Sequence, residues 1–187
     1  MRMKIGCSSV IVAGLLCACS PSSPPAPAAA PSPAASTQPP GAGSSAPVAA
    51  DVAALNSRFD PARDPAADLA VAQAEARRTG KRIVLDVGGE WCSWCHLLDA
   101  FIEGDADVRT LVDTKYVWMK VNYSEDNENA AFLSQFPAIK GYPHLFVLDA
   151  DGKLLHSQFT GELEADKGQP KGYNRERFLA FVQAWAP

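Results

Sequence analysis

The feature that most constrains this chain is a short apolar run that breaks into a cysteine pair. Arg82-Ile83-Val84-Leu85-Asp86-Val87 is β-branched and mostly apolar, the composition of a buried strand. Gly88-Gly89 interrupts it, and Glu90-Trp91-Cys92-Ser93-Trp94-Cys95-His96 follows. Leu97, Leu98, Phe101 and Ile102 then recur at helical spacing. A strand therefore turns directly into a helix, with Cys92 at the turn and Cys95 one helical turn on. That spacing lets the two sulfurs bond each other. The unsatisfied N–H groups of a helix N-terminus favour negative charge, so they stabilise a thiolate at Cys92. The thiolate is the attacking species in disulfide exchange, which makes Cys92 the candidate nucleophile and Cys95 the resolving thiol.

The first residues read as an address and a tether. Arg2 and Lys4 form a basic start, and Val10–Leu16 is an apolar run too short to span a bilayer. Leu16-Cys17-Ala18-Cys19 resembles a bacterial lipobox, with a small residue before the modified cysteine. The resemblance implies a signal peptide over residues 1–18 and a lipidated Cys19. An ordinary signal peptide, or cleavage at Cys17, is the alternative; Leu16 before Cys17 is a poor cleavage residue. Ser20 after Cys19 resembles the outer-membrane-sorted kind of lipoprotein. Residues 20–50 hold nine of the chain's 15 prolines and no charge. Such a segment cannot bury a core, so residues 19–50 are expected to be a disordered tether, and residues 51–187 the folded domain.

The chain has five cysteines, at 7, 17, 19, 92 and 95. Cleavage before Cys19 would remove two, and lipidation would occupy a third. Cys92 and Cys95 then remain without any structural disulfide framework around them. In an exported protein, an isolated C-x-x-C pair reads as redox-active rather than structural.

Asp64-Pro65 has the pattern of an N-cap with proline at the first helical position, opening a helix over 66–79 that Gly80 stops. A strand over 82–87 and the cysteine-bearing helix to about Glu103 follow. Residues 104–107 read as a break, 108–112 as a short helix, and 116–122 as a strand. Asn127 to about Phe136 is expected to be helical. Gly141-Tyr142-Pro143 is a turn signal before a strand over 144–148. Asp149-Ala150-Asp151-Gly152 has hairpin character, with a returning strand over 153–160. Residues 161–172 form a polar loop. Asn174 then caps a final helix that carries Phe178, Phe181, Val182 and Trp185 on one face. This order implies a single α/β domain with a mixed sheet flanked by helices.

Over residues 64–187 the chain resembles the thioredoxin family. Four features carry the resemblance: Trp91-Cys92-Ser93-Trp94-Cys95 after a strand; Asp86, six residues before Cys92; Lys120 in Met119-Lys120-Val121-Asn122; and Tyr142-Pro143. They fall on the family's dithiol, its buried aspartate, the lysine that faces that aspartate, and its cis-proline. The resemblance implies that Asp86 relays a proton for Cys95, that Lys120 pairs with Asp86 and tunes it, and that Trp91, Tyr142 and Pro143 meet the substrate. Trp91 is expected to pack beside Cys92. The plainer alternatives are a water-exposed strand-end carboxylate at Asp86, a solvated lysine, a core tryptophan and an ordinary strand-start proline. The sequence departs from ordinary thioredoxin in three ways. Ser-Trp separates the cysteines, the span from Cys95 to Pro143 is longer, and His96 follows Cys95 directly. The His96 cation could favour a thiolate or simply be solvated. The lengthened span resembles a thioredoxin-like branch of exported bacterial proteins.

These readings converge on an exported thiol–disulfide oxidoreductase acting on protein disulfides. It would need no cofactor beyond the Cys92–Cys95 disulfide and no metal. Its partners would be protein thiols or disulfides and a redox-recycling protein. It would sit in the bacterial cell envelope, lipid-anchored, facing the periplasm and in the outer membrane if Ser20 directs sorting, and it is expected to be a monomer. Loss of Arg2 and Lys4 with a leader takes the formal charge from −4 to −6, which argues against a nucleic-acid partner. Two other readings share the same residues. Cys92-Ser93-Trp94-Cys95-His96 matches the attachment signature for c-type haem, against which the Asp86, Lys120 and Pro143 pattern stands. Cys92, Cys95 and His96 could also hold a soft metal such as Cu(I) in a non-catalytic binding module.

Overall fold

A computed structural model describes residues 49–187. The expected signal peptide, Cys19 and nearly all of the expected tether lie outside the described residues. Four strands form one sheet in the order β2-β1-β3-β4, with β1 Arg82–Gly88, β2 Tyr116–Asn122, β3 His144–Leu148 and β4 Leu154–Phe159. β1 pairs parallel with β2 and antiparallel with β3, and β3 pairs antiparallel with β4. The sheet is mixed and lies between helices, as the order of elements implied. The helices are α1 Ala49–Ala54, α2 Pro65–Thr79, α3 Ser93–Gly104, α4 Ala106–Lys115, α5 Ala130–Leu133 and α6 Arg175–Ala184. None of them is long and apolar enough to cross a membrane.

The caps follow their sequence signals. The Asp64 carboxylate accepts the Ala66 N–H at 2.9 Å, and Gly80 closes α2 at φ 72°, a left-handed conformation that glycine adopts without strain. Asp105 caps α4 by accepting the Asp107 and Val108 N–H groups. The expected break at 104–107 is thus no more than a cap, and α4 runs longer than the 108–112 expected. Asp149 accepts the Asp151 and Lys153 N–H groups in the turn between β3 and β4, where Gly152 takes φ 84°.

Alternate residues of β1 feed two cores, because side chains on a strand point to opposite faces. Ile83, Leu85 and Val87 pack with Ala72, Ala76, Met119, Phe146 and Leu148 on the α2 side. Val84 packs with Leu98, Val108, Val112, Leu145, Val147 and Phe178 on the α3, α4 and α6 side. Both faces are covered, which explains why β1 reads as an almost unbroken apolar run. Asp86 shares the Val84 face and is completely buried. The sequence reading missed α1. Leu55, just after it, is 1% exposed, and its carbonyl accepts the Lys120 N–H at 2.8 Å.

The helix expected from Asn127 to Phe136 shrinks to the four residues of α5. Three asparagines explain this. Asn122 donates its amide to Ser124 Oγ and to the Asn127 carbonyl, Asn127 Oδ1 accepts the Asn129 N–H, and Asn129 donates its amide to the Asn122 carbonyl. Asn129 itself sits at φ 48°. Side-chain bonds of this kind give the backbone an alternative to helix. Asn122→Ala removes two of these donors and is expected to lower stability by about 1–3 kcal/mol in denaturant unfolding. Amide exchange should rise across 123–129 and stay unchanged in β3.

Candidate active site

α3 begins where β1 ends, and Cys92 is its N-cap residue, with extended backbone at φ −89° and ψ 100°. The Cys95 N–H donates to Cys92 Sγ at 3.1 Å, so a backbone donor of the helix end already faces that sulfur. Cys92 and Cys95 are joined as a disulfide, with Cα atoms 5.3 Å apart. Cys92 is 4% exposed and Cys95 0%. Of the two sulfur-bearing residues, Cys92 alone has any surface for a partner to reach.

Gly88 allows this packing. A Cβ there would overlap Cys95 Sγ and come within 3.2 Å of the Phe59 ring. Phe59, 1% exposed, packs with both cysteines. Its N–H donates to the Glu90 carboxylate at 2.8 Å, which fastens the segment after α1 to the dithiol loop.

Beneath α3 lies a buried polar group. Asp86 Oδ2 accepts the Trp118 indole N–H at 3.2 Å, and Oδ1 has no partner among the described residues. Burial pushes the Asp86 carboxyl up to about 7. The Lys120 charge opposes that rise, the Asp99 charge adds to it, and the Trp118 bond opposes it. Lys120 lies opposite Asp86 in the parallel register of β1 and β2. Its hydrogen bonds, however, go elsewhere. Lys120 Nζ donates to both oxygens of Asp99 at 2.6 Å and sits 4.4 Å from the centre of the Phe59 ring. The expected direct Lys120–Asp86 pairing is therefore replaced by a Lys120–Asp99 ion pair. The reason is reach: Asp99 is one helical turn beyond Cys95 and points to the same side.

The Tyr142–Pro143 peptide bond is cis, and the Pro143 carbonyl accepts the Thr160 hydroxyl. Tyr142 packs beside the two cysteines, stacks on Tyr123 at 4.8 Å and meets Trp91 edge-on at 5.6 Å. Burial and the neighbouring Tyr123 push its phenol well above the ordinary value, so it stays neutral. Trp91 is 58% exposed and donates its indole N–H to the Tyr123 carbonyl at 2.7 Å. It is a surface shelf and not a core residue. It borders a cleft of about 640 Å³ shared with Tyr123, Ser124, Glu125, Asp126 and Glu128. His96 is half exposed, and its Nε2 lies 2.8 Å from the Glu90 carbonyl.

The structure thus gathers Cys92, Cys95, Trp91, Tyr142 and Pro143 at one end of the sheet, with Asp86 and Lys120 below α3. Sequence reasoning missed Phe59, Asp99, Trp118 and Tyr123. The spacing of Asp99 from Cys95 and the two-residue alternation of Trp118 with Lys120 were available signals. Phe59 had none, because its place depends on a loop.

A buried carboxyl that titrates near 7 makes stability depend on pH with a definite sign. Between the ordinary value of 3.8 and about 7, the folded state holds a proton that the unfolded state has lost. Stability is full below that window and falls as pH rises through it, by up to about 4 kcal/mol. Asp86→Asn removes the titrating group. Its stability, measured by denaturant unfolding with the disulfide intact, should match the parent near pH 4 and exceed it increasingly up to pH 8.

Comparison with known proteins agrees with this geometry. Residues 64–150 match the family described as thioredoxin-like. An 87-residue stretch, 46% of the chain, is 30% identical to the thiol:disulfide interchange protein DsbD of Colwellia psychrerythraea strain 34H and spans 14% of that protein's length. The crystal structure of a disulphide isomerase from Xylella fastidiosa Temecula1 superposes with a TM-score of 0.56 at 22% identity, covering 67% of this chain and 94% of that one. The strand that ends in a dithiol helix and the mixed sheet around it therefore form a thioredoxin-like fold, and residues 64–150 are those that match the thioredoxin-like family.

Proposed function

We propose that this chain is an exported thiol–disulfide oxidoreductase that acts on protein disulfides through Cys92 and Cys95. The observation that carries the reading is the asymmetry of the dithiol: Cys92 caps a helix and meets the surface, while Cys95 is fully buried behind it. The match to a thiol:disulfide interchange protein supports it, although this chain corresponds to only a small part of that protein.

In the proposed scheme the Cys92 thiolate attacks one sulfur of a substrate disulfide and expels the other as a thiolate, which takes a proton. Cys95 then attacks Cys92 Sγ in the mixed disulfide and releases the second substrate thiol. Two electrons leave the protein dithiol and the Cys92–Cys95 disulfide reforms. Asp86 accepts the Cys95 proton, and a carboxyl held near 7 suits a base working at neutral pH. Lys120 tunes Asp86 from the ion pair it makes with Asp99. An extended substrate segment lies beside Tyr142 and Pro143 and against Trp91. Run in reverse, the same steps oxidise a substrate. A separate redox partner recharges the dithiol.

The signal-like residues 1–18 and the lipobox at Cys19 support export, a membrane anchor and a periplasm-facing domain on a proline-rich tether. Cys19→Ala should move the protein from the membrane fraction to the soluble fraction of its host.

The reaction is tested on the full chain with a disulfide-linked model peptide. Cys92→Ser should abolish exchange, and Cys95→Ser should accumulate mixed disulfides that a reductant dissolves. Full exchange by Cys92→Ser would overturn the assignment. Stoichiometric Cu(I) binding by the reduced chain with no exchange activity would put the metal-binding module in its place.

A further inference from the structure

The residues after β4 include an element whose place against the dithiol was not visible in sequence. A short 3₁₀ helix, Thr160–Leu163, leads into a strap, residues 164–173. The strap is closed at its base by an antiparallel bridge between Glu164 and Tyr173, by the Ala165 N–H donating to the Gly172 carbonyl, and by the Asn174 N–H donating to the Leu163 carbonyl. Its tip turns at Gly168, at φ 95°. Arg177 of α6 donates to the Glu164 carbonyl and pairs with Asp166. These ties hold the strap in one place beside α3.

What the strap carries to α3 is a cation. Lys171 Nζ lies 4.8 Å from the centre of the Trp94 ring and 3.4 Å from Ser93 Oγ, to which it donates. Tyr173 meets Trp94 edge-on at 5.7 Å and donates its hydroxyl to the Trp94 carbonyl at 3.3 Å. Ser93 and Trp94 are the two residues between the cysteines. The strap therefore grips the dipeptide of the C-x-x-C turn and sets a positive charge on it.

We propose that Lys171 is a positioning residue for the redox centre: held by the strap over Ser93 and Trp94, its ammonium stabilises the thiolate of reduced Cys92. The inference rests on Cys92 being the attacking thiol of the proposed function. When a donor dithiol reduces the Cys92–Cys95 disulfide, two electrons break the S–S bond and the donor leaves as its own disulfide. One of the donor's two protons ends on Cys95 and the other is released to water, leaving Cys92 charged. A nearby cation lowers the free energy of that charged product. It thereby lowers the Cys92 pKa and makes the disulfide a stronger oxidant.

The other ionisable groups around the dithiol are differently engaged. Glu90 accepts the Phe59 N–H, and His96 is turned to the Glu90 carbonyl. Asp86 is buried below α3, Lys120 is paired with Asp99, and Tyr142 is held neutral. Lys171 makes no ion pair among the described residues.

The test is the pH dependence of iodoacetamide alkylation at Cys92 in the reduced full chain, located by peptide mass spectrometry. Lys171→Met should raise the midpoint by about half a unit, the size of effect that one exposed charge exerts through solvent. The shift should shrink as salt is added. Lys171→Arg should hold the parent midpoint, and only Lys171→Met should move the glutathione equilibrium toward a more reducing pair. An unchanged midpoint in Lys171→Met would overturn the proposal, as would an equal shift in Lys171→Arg. Alkylation is read whether or not exchange occurs, so a chain that failed to exchange would sink the proposed function and leave this comparison intact.

Discussion

A carboxyl group buried without a full set of partners governs the interior of this domain. Asp86 is completely enclosed, and one of its oxygens has no partner among the described residues. Burying a charged carboxylate in such a place is costly, and the surroundings answer the cost only in part. The Trp118 indole supplies one bond, and Lys120 supplies charge from the neighbouring strand without touching the group. Asp99 in turn claims Lys120 from the helix above. A strand, its parallel neighbour and the dithiol helix are thereby joined by two polar contacts, Asp86–Trp118 and Lys120–Asp99, which only the through-space charge of Lys120 links into one chain, and the carboxyl settles near neutrality.

That chain connects two kinds of order. The apolar faces of β1 fix the sheet between its helices and are satisfied by packing alone. The polar contacts below α3 serve no comparable packing need, and their cost is borne by the large core around them. The geometry at the surface is simpler. A helix end, two sulfurs, a cis peptide and three aromatic rings meet within one small region, which leaves Cys92 as the point of access.

Sequence reasoning read the regular parts well because they follow local rules. The strand at 82–87, the capped helix after Asp64, the β3–β4 hairpin and the final helix all announced themselves through period, caps and turn residues. Asp86 lies in that strand and is completely buried. The failures share a cause. The helix expected over 127–136 lost to asparagine side chains that bond the backbone two to seven residues away. The partner of Lys120 was chosen by the pitch of α3, which a strand-by-strand reading does not see. Phe59 and the strap over Ser93 and Trp94 come from loops, whose positions depend on contacts distant in sequence.

Gly88 carries the last consequence. Its missing side chain is the room that Cys95 Sγ and the Phe59 ring already occupy. The end of the central strand and the redox centre therefore share one volume, and neither can be redrawn alone. A search for sturdier versions of this sheet would meet that position as a fixed point. Any gain in strand propensity there would be taken from the space of the sulfur. The site is thus specified partly by an atom that is not present, and substitutions that treat the glycine as a weak strand residue to be improved would dismantle the packing they set out to reinforce.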